Sequence, residues 1–192
     1  YVSKLRVGSF AEEGAQYDYS GINTFVLGWL VEKVMGLQLH EAVSQMIWSK
    51  IGVEADASFF APRFGVPVMH GGLLARPIDL AKFGLLFTPS YQTVSETPII
   101  NKDHIEKLLN GGRPELLGKH LPQGAKHNIY QWDMVFEDGT LYKGGWAGQG
   151  IMVNPVHDYV FVWNSYFKDK DERETKLTPM MFFLFSRWEP AA

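Results

Sequence analysis

Apolar residues recur at helical spacing in the first part of the chain. Over residues 21–36 they fall three or four positions apart, and Gly36 stands where a C-terminal cap belongs. The same spacing continues over residues 39–50. The pattern predicts two helices, and the short glycine-containing connection between them predicts a helical hairpin.

Two shorter helices are predicted further along. Pro77 suits the first turn of a helix, and an apolar pattern follows it. Asn101 can cap a helix that runs to Leu109 before two glycines. Residues 54–72 and 111–127 have no sustained period and are predicted to be loops.

After His127 the hydrophobic period changes to two. Residues 128–136 alternate between apolar and polar, residues 137–139 are typical of a turn, and residues 140–143 form the returning strand. This pattern predicts a β-hairpin. A second hairpin is predicted from a strand over 149–154, a turn over 155–158 and a strand over 159–163. A final apolar helix is predicted over residues 180–188.

This order of elements predicts an α/β fold of the α+β type, with an antiparallel sheet flanked by helices and a helical lobe. We expect one domain over residues 1–192, mainly helical over 17–127, with strands and the terminal helix over 128–192. No Met precedes Tyr1 and the first clear element begins near Tyr17, so we expect a domain that is incomplete at its N-terminus.

Composition narrows the classes of function. Hydrophobic residues make up 46% and charged residues 20%, enough for a packed core, and the net charge of −3 gives no basic surface for nucleic acid. No apolar run reaches the roughly 18–20 residues that span a bilayer. The chain has no cysteine, which excludes disulfides and thiolate chemistry but leaves cytoplasm and periplasm both open. The histidines lack metal-ligand spacing, and we expect neither a metal nor an organic cofactor.

The first segment that could carry chemistry is Tyr17-Asp18-Tyr19-Ser20-Gly21. It delivers a tyrosine directly to the N-terminus of a predicted helix, where a phenol near a cation can act as a general base. The alternative for Tyr19 is a buried aromatic residue whose hydroxyl caps the helix.

The second segment is Lys143-Gly144-Gly145-Trp146-Ala147-Gly148-Gln149, at the end of a predicted strand. Glycines let a substrate carbonyl approach the backbone, so the Trp146 N–H could serve in an oxyanion hole. Lys143 could hold an anionic group or influence a neighbouring phenol. The alternative is a glycine-rich β-bulge with a solvated lysine.

Together these segments resemble the penicillin-recognising serine hydrolases, in the branch of class C β-lactamases, related esterases and 6-aminohexanoate-dimer hydrolases. The family's tyrosine motif and following helix correspond to residues 19–36, and its Asp-Leu-Ala-Arg-Phe-Gly helix to residues 79–84. Its Lys-Thr-Gly or Trp-Gly-Gly strand motif corresponds to Lys143-Gly144-Gly145. The resemblance runs in order over residues 13–165, with gaps in the loops.

The resemblance implies a β-lactamase-like fold and hydrolysis of an ester, a linear amide or a β-lactam through an acyl-enzyme. Tyr19 would shuttle the proton, Lys143 would stand for the family lysine, and the Trp146 N–H would be one oxyanion donor. Gly144, Gly145, Gly21 and His70 would border the substrate; these four are the substrate-contact candidates. Gly21 stands where many members have Asn, which favours the esterase and amide-hydrolase branches.

The family nucleophile lies in a Ser-X-X-Lys motif before the tyrosine, and nothing before Tyr19 fits it. The string Ser165-Tyr166-Phe167-Lys168 follows a strand and enters a charged turn, so Ser165 is not expected to be the nucleophile. We expect the serine on a preceding segment or on a complementary N-terminal chain. Two alternatives remain at this point: a binding module that has lost the nucleophile, and a fragment with no activity of its own. Neither nucleic acid nor membrane is an expected partner.

Overall fold

A computed structural model describes residues 12, 14–63, 65–117, 122–166 and 180–184. Its helices are α1 (Gly21–Met35), α2 (Leu39–Met46), α3 (Pro77–Leu85) and α4 (Lys102–Asn110). Its strands are β1 (Ser58–Phe59), β2 (Leu73–Leu74), β3 (Ala125–Ile129), β4 (Trp132–Phe136), β5 (Leu141–Gly144), β6 (Gly150–Asn154) and β7 (Tyr159–Trp163). No helix among these residues is both long and apolar enough to cross a bilayer.

The predicted helix ends agree with the structure at three helices. Gly36 ends α1 in the left-handed region (φ 66°), and its N–H donates to the Glu32 carbonyl. Pro77 is the first residue of α3. The Asn101 side chain accepts the His104 N–H at 2.7 Å and caps α4.

The second helix is shorter than its periodicity predicts. Ile47 leaves the helical region (φ −133°, ψ −66°), and a 3₁₀ turn over Trp48–Lys50 follows. The turn buries the Trp48 ring, which is 8% exposed, and its indole N–H donates to the Ala55 carbonyl at 3.3 Å. Burial of a large ring stabilises the break more than further helical hydrogen bonds would.

Five antiparallel strands form the main sheet, in the order β3-β4-β5-β6-β7, so each strand pairs with the next one along the chain. The predicted single strand over 128–136 is wrong, because the chain turns back at Tyr130 and Gln131, whose φ angles are 46° and 70°. These residues carry no glycine or asparagine signal for such a turn. β1 and β2 form a separate antiparallel pair; β1 lies inside the region predicted as a loop over 54–72.

Alternate residues of the sheet belong to two separate hydrophobic clusters. One cluster joins the sheet to α3 and α4, and its fully buried members are Ile51, Leu108, Val135, Leu141 and Val153. The other joins Phe136, Tyr142 and Met152 to Met181 and Phe182. Residues 180–184 are helical, as predicted, and the rest of that helix lies outside the described residues. The described helices therefore contact the sheet from both faces.

The third helix packs directly on β6 and β7. Gly84 allows this approach, since a Cβ there would lie 2.6 Å from Val160 Cγ1. Asp79 on the same helix is fully buried and accepts the Glu54 N–H at 2.7 Å. By contrast, α1 packs on α2 and buries only Gly28.

Candidate active site

Lys143 faces Asp133 across the hairpin of β4 and β5. The register pairs Met134 with Tyr142 and Val135 with Leu141, which puts Asp133 directly opposite Lys143 one position further on. The Lys143 Nζ donates to Asp133 Oδ1 at 2.6 Å. The side chains are 33% and 26% exposed, so the pair is partly shielded from water.

Asp133 also holds the backbone of the neighbouring strand. Its Oδ2 accepts the Gly144 N–H at 2.8 Å, so both carboxylate oxygens are engaged. A Cβ at Gly144 would lie 2.6 Å from the Tyr142 hydroxyl and 3.4 Å from Asp133 Oδ2. Glycine at position 144 therefore leaves room for the carboxylate to reach both partners.

Tyr19 reaches the same place from the segment before α1. The Lys143 Nζ lies 5.3 Å from the centre of the Tyr19 ring, and the Tyr19 hydroxyl contributes to the raised pKa of Lys143. The Thr24 hydroxyl donates to Gln131 Oε1 at 2.9 Å, which ties the start of α1 to the β3–β4 hairpin.

The alternative interpretation of Tyr19 as a buried capping residue is wrong. Its side chain is 64% exposed, and no side chain caps the N-terminus of α1. The alternative for Lys143, a solvated lysine, also disagrees with its ion pair.

The charge state of Lys143 follows from its neighbours. Partial burial by itself would lower the pKa of the ammonium, but the hydrogen bond and ion pair with Asp133, and then the Tyr19 hydroxyl, outweigh it and raise the pKa above the ordinary value. Lys143 is therefore a cation at neutral pH and donates hydrogen bonds there. Burial, and next the charge of Asp133, raise the pKa of Tyr17, so Tyr17 stays neutral.

The turn after β5 exposes Trp146. Gly145 N–H donates to the Gln149 carbonyl at 2.7 Å, and the Gln149 side chain donates to the Trp146 carbonyl at 3.1 Å. Ala147 inside the turn has φ 60°, a conformation that costs energy for a residue with a Cβ. The Trp146 indole is 86% exposed. The backbone N–H of Trp146 donates to no acceptor in the described part of the chain.

Gly21 and His70 lie in contact at the N-terminus of α1. A Cβ at position 21 would lie 2.9 Å from His70 Cδ2, and the His70 ring packs on Phe25 with 5.1 Å between centres. The imidazole thus occupies the space that a side chain at position 21 would need. Glycine at position 21 therefore accommodates the His70 ring.

Three large aromatic residues of this region lie in separate places: Trp132 belongs to the core, Tyr130 stacks on His104, and Trp146 lies on the surface. Ser165 follows β7, while Lys168 of the same string lies outside the described residues. Within the described residues, no three His, Asp or Glu side chains group as metal ligands.

Sequence reasoning missed Asp133. The signal was present in the predicted hairpin, because a turn centred on Asp138 makes residues 133 and 143 equidistant from the centre and therefore cross-strand partners. Opposite charges at such positions predict an ion pair. The error over 128–136 did not affect this register, since β4 ends at Phe136 as predicted.

No family model matches the chain, but comparisons with individual proteins find similar ones. The chain is 28% identical over 163 residues to the 6-aminohexanoate-dimer hydrolase of Paenarthrobacter ureafaciens, covering 82% of this chain and 41% of that protein. It also resembles the solved structure named "Putative 6-aminohexanoate-dimer hydrolase from Bacillus anthracis", with a TM-score of 0.72 and 24% identity over 92% of this chain and 46% of that one.

Both similar proteins are named hydrolases, and this chain spans less than half the length of either. The structural likeness confirms the predicted fold class, a mixed α and β fold with a flanked antiparallel sheet that is consistent with the β-lactamase type.

Proposed function

We propose that this chain is part of a serine hydrolase that cleaves a small carboxylic ester, linear amide or β-lactam through an acyl-enzyme. The observation that carries the proposal is the position of the Tyr19 ring 5.3 Å from the Lys143 ammonium, next to the Gly144-Gly145-Trp146 turn. The similarity to a protein named 6-aminohexanoate-dimer hydrolase supports it.

The reaction runs in two displacements. A serine Oγ attacks the substrate carbonyl carbon, its proton passes through the Tyr19 oxygen to the leaving oxygen or nitrogen, and the bond to the leaving group breaks. Water then attacks the acyl-enzyme, and its proton returns to the serine by the same route. The sum is substrate plus water giving a carboxylic acid and an alcohol or amine. The serine, with a lysine one helical turn later, belongs to a segment or chain outside these residues.

Lys143 acts in this scheme as a fixed positive charge. Its raised pKa keeps it protonated, and its Nζ lies 5.3 Å from the centre of the Tyr19 ring. A cation in that position stabilises negative charge on the tyrosine oxygen while the proton is in transit.

The Trp146 N–H would stabilise the oxyanion that forms on the carbonyl oxygen. A backbone donor costs no reorganisation during the reaction when the turn already fixes its direction. The two hydrogen bonds of Gln149 hold this turn closed. Gly144 and Gly145 on one side, and Gly21 with His70 on the other, would contact the substrate. The chemistry requires neither a metal nor an organic cofactor.

Active-site labelling tests the proposal. The protein, purified from its natural source with every chain that accompanies it, is incubated with a fluorophosphonate and its intact mass is measured before and after. Turnover of 4-nitrophenyl butyrate and of a chromogenic β-lactam is measured on the same sample. We expect one adduct per active site, on a serine followed three residues later by a lysine and outside the present sequence.

An adduct on Ser165 would contradict the assignment of the nucleophile. A sample that gains no mass and hydrolyses none of the substrates would refute the proposed function, and the chain would then be a binding module or an inactive fragment.

A further inference from the structure

The Lys143 ammonium already has a carboxylate partner. Its Nζ donates to Asp133 Oδ1 at 2.6 Å and lies 5.3 Å from the centre of the Tyr19 ring. One of the three N–H donors of the ammonium is therefore used by a charged acceptor, and the Tyr19 ring covers another side. The Asp133 carboxylate is equally committed, because its second oxygen accepts the Gly144 N–H at 2.8 Å.

The pair is also electrically neutral. Asp133 is the charged partner of Lys143, and the hydroxyls of Tyr17 and Tyr19 also interact electrostatically with it. A lysine that faced the cleft without a partner would attract a substrate carboxylate, whereas here a negative charge already lies against it at 2.6 Å. An incoming carboxylate would meet the repulsion of Asp133 as well as the attraction of Lys143.

We propose that Asp133 determines the charge class of the substrate, so that the site accepts esters and amides without a carboxylate within reach of Lys143 and discriminates against those that carry one. The inference rests on the proposed function and narrows it, since it disfavours β-lactams, whose carboxylate lies near the scissile bond. Asp133 is a specificity-determining residue in this scheme, because it acts through Lys143.

Two matched substrate pairs test the proposal on the protein expressed from its complete natural gene. 4-Nitrophenyl butyrate and mono-4-nitrophenyl glutarate differ by a carboxylate on the acyl chain. Phenyl butyrate and 3-carboxyphenyl butyrate differ by a carboxylate on the leaving group. In the natural protein we expect kcat/KM to be at least about tenfold higher for the neutral member of one or both pairs.

The variant D133N removes the negative charge while keeping an oxygen that can accept the Gly144 N–H. We expect the ratio of anionic to neutral kcat/KM to rise by about tenfold or more in the pair that discriminates. The gain should shrink as NaCl increases from 0.05 to about 0.5 M, because added salt screens an exposed charge pair. E137Q is the matched control, since Glu137 is an exposed acid of the same hairpin without contact to Lys143, and its ratio should not change.

The outcomes separate this inference from the proposed function. Absence of hydrolysis of every substrate by the natural protein would refute the function itself. If the natural protein hydrolyses the anionic esters with a kcat/KM equal to or higher than that for their neutral partners, the inference alone is overturned, whether or not D133N folds. A folded D133N with an unchanged ratio would also overturn it.

Discussion

Replacement of Tyr19 by Phe separates the chemical role of this residue from its structural role. The change removes one oxygen and leaves the ring over Lys143. Tyr19 is 64% exposed, so loss of its hydroxyl should change the free energy of unfolding by no more than about 0.5 kcal/mol.

The expected loss of activity is much larger. A positioned acid or base contributes about 10²–10⁴-fold to a rate, which corresponds to about 2.7–5.4 kcal/mol of transition-state stabilisation. We therefore expect Y19F to lose at least about a hundredfold in kcat while the affinity for an inert substrate analogue changes little.

The assay measures kcat and KM with 4-nitrophenyl butyrate, together with urea unfolding of the same preparations. Y166F is the matched control, because Tyr166 is 84% exposed and loss of its hydroxyl should change neither kcat nor the free energy of unfolding. Full kcat in a folded Y19F protein would refute the role of Tyr19 as proton carrier. A large loss of stability would instead show that the hydroxyl is structural.

Three further predictions concern the fold and the ion pair. L108A should lower the free energy of unfolding by about 2–5 kcal/mol, because Leu108 is fully buried. V34A should change it by less than about 0.5 kcal/mol, because Val34 is 83% exposed. Urea unfolding followed by tryptophan fluorescence measures both variants. G150A should cost about 1–3 kcal/mol in the same assay, because a Cβ at Gly150 would overlap the Trp163 ring, and an unchanged midpoint would contradict this packing. Because the pKa of Lys143 is raised, the contribution of this ammonium to stability is fully present below the ordinary value of 10.5 and is lost as pH rises through the folded-state pKa. K143M should therefore flatten the alkaline end of a plot of unfolding free energy against pH. The slope of the neutral part of that plot should not change.

Local sequence signals determined most of the secondary structure. Gly36, Pro77 and Asn101 mark helix ends through the backbone conformation or hydrogen bond that each residue favours, and these effects act within one turn. The alternation after His127 likewise predicted strands, because one face of each strand must be buried. The same signals carried the resemblance on which the predicted fold class rested.

Because these local signals act only within about one helical turn, they also explain why two predictions were wrong. The break at Ile47 depends on burying Trp48 against residues far along the chain, and the turn at Tyr130 depends on pairing β3 with β4. Neither Ile47 nor Tyr130 is a residue type that favours such a break or turn, so tertiary contacts overrode the local conformational preference there.

The candidate site divides in the same way. The sequence by itself identified Tyr19, Lys143 and the glycine turn as candidate functional residues, since their residue types and order can be read directly from it. Only the tertiary structure decided that Tyr19 lies over Lys143, that His70 fills the space beside Gly21, and that Asp133 neutralises the lysine. Such partnerships depend on distances of a few ångströms between residues up to 124 positions apart, as for Tyr19 and Lys143, and those distances follow from packing rather than from sequence spacing.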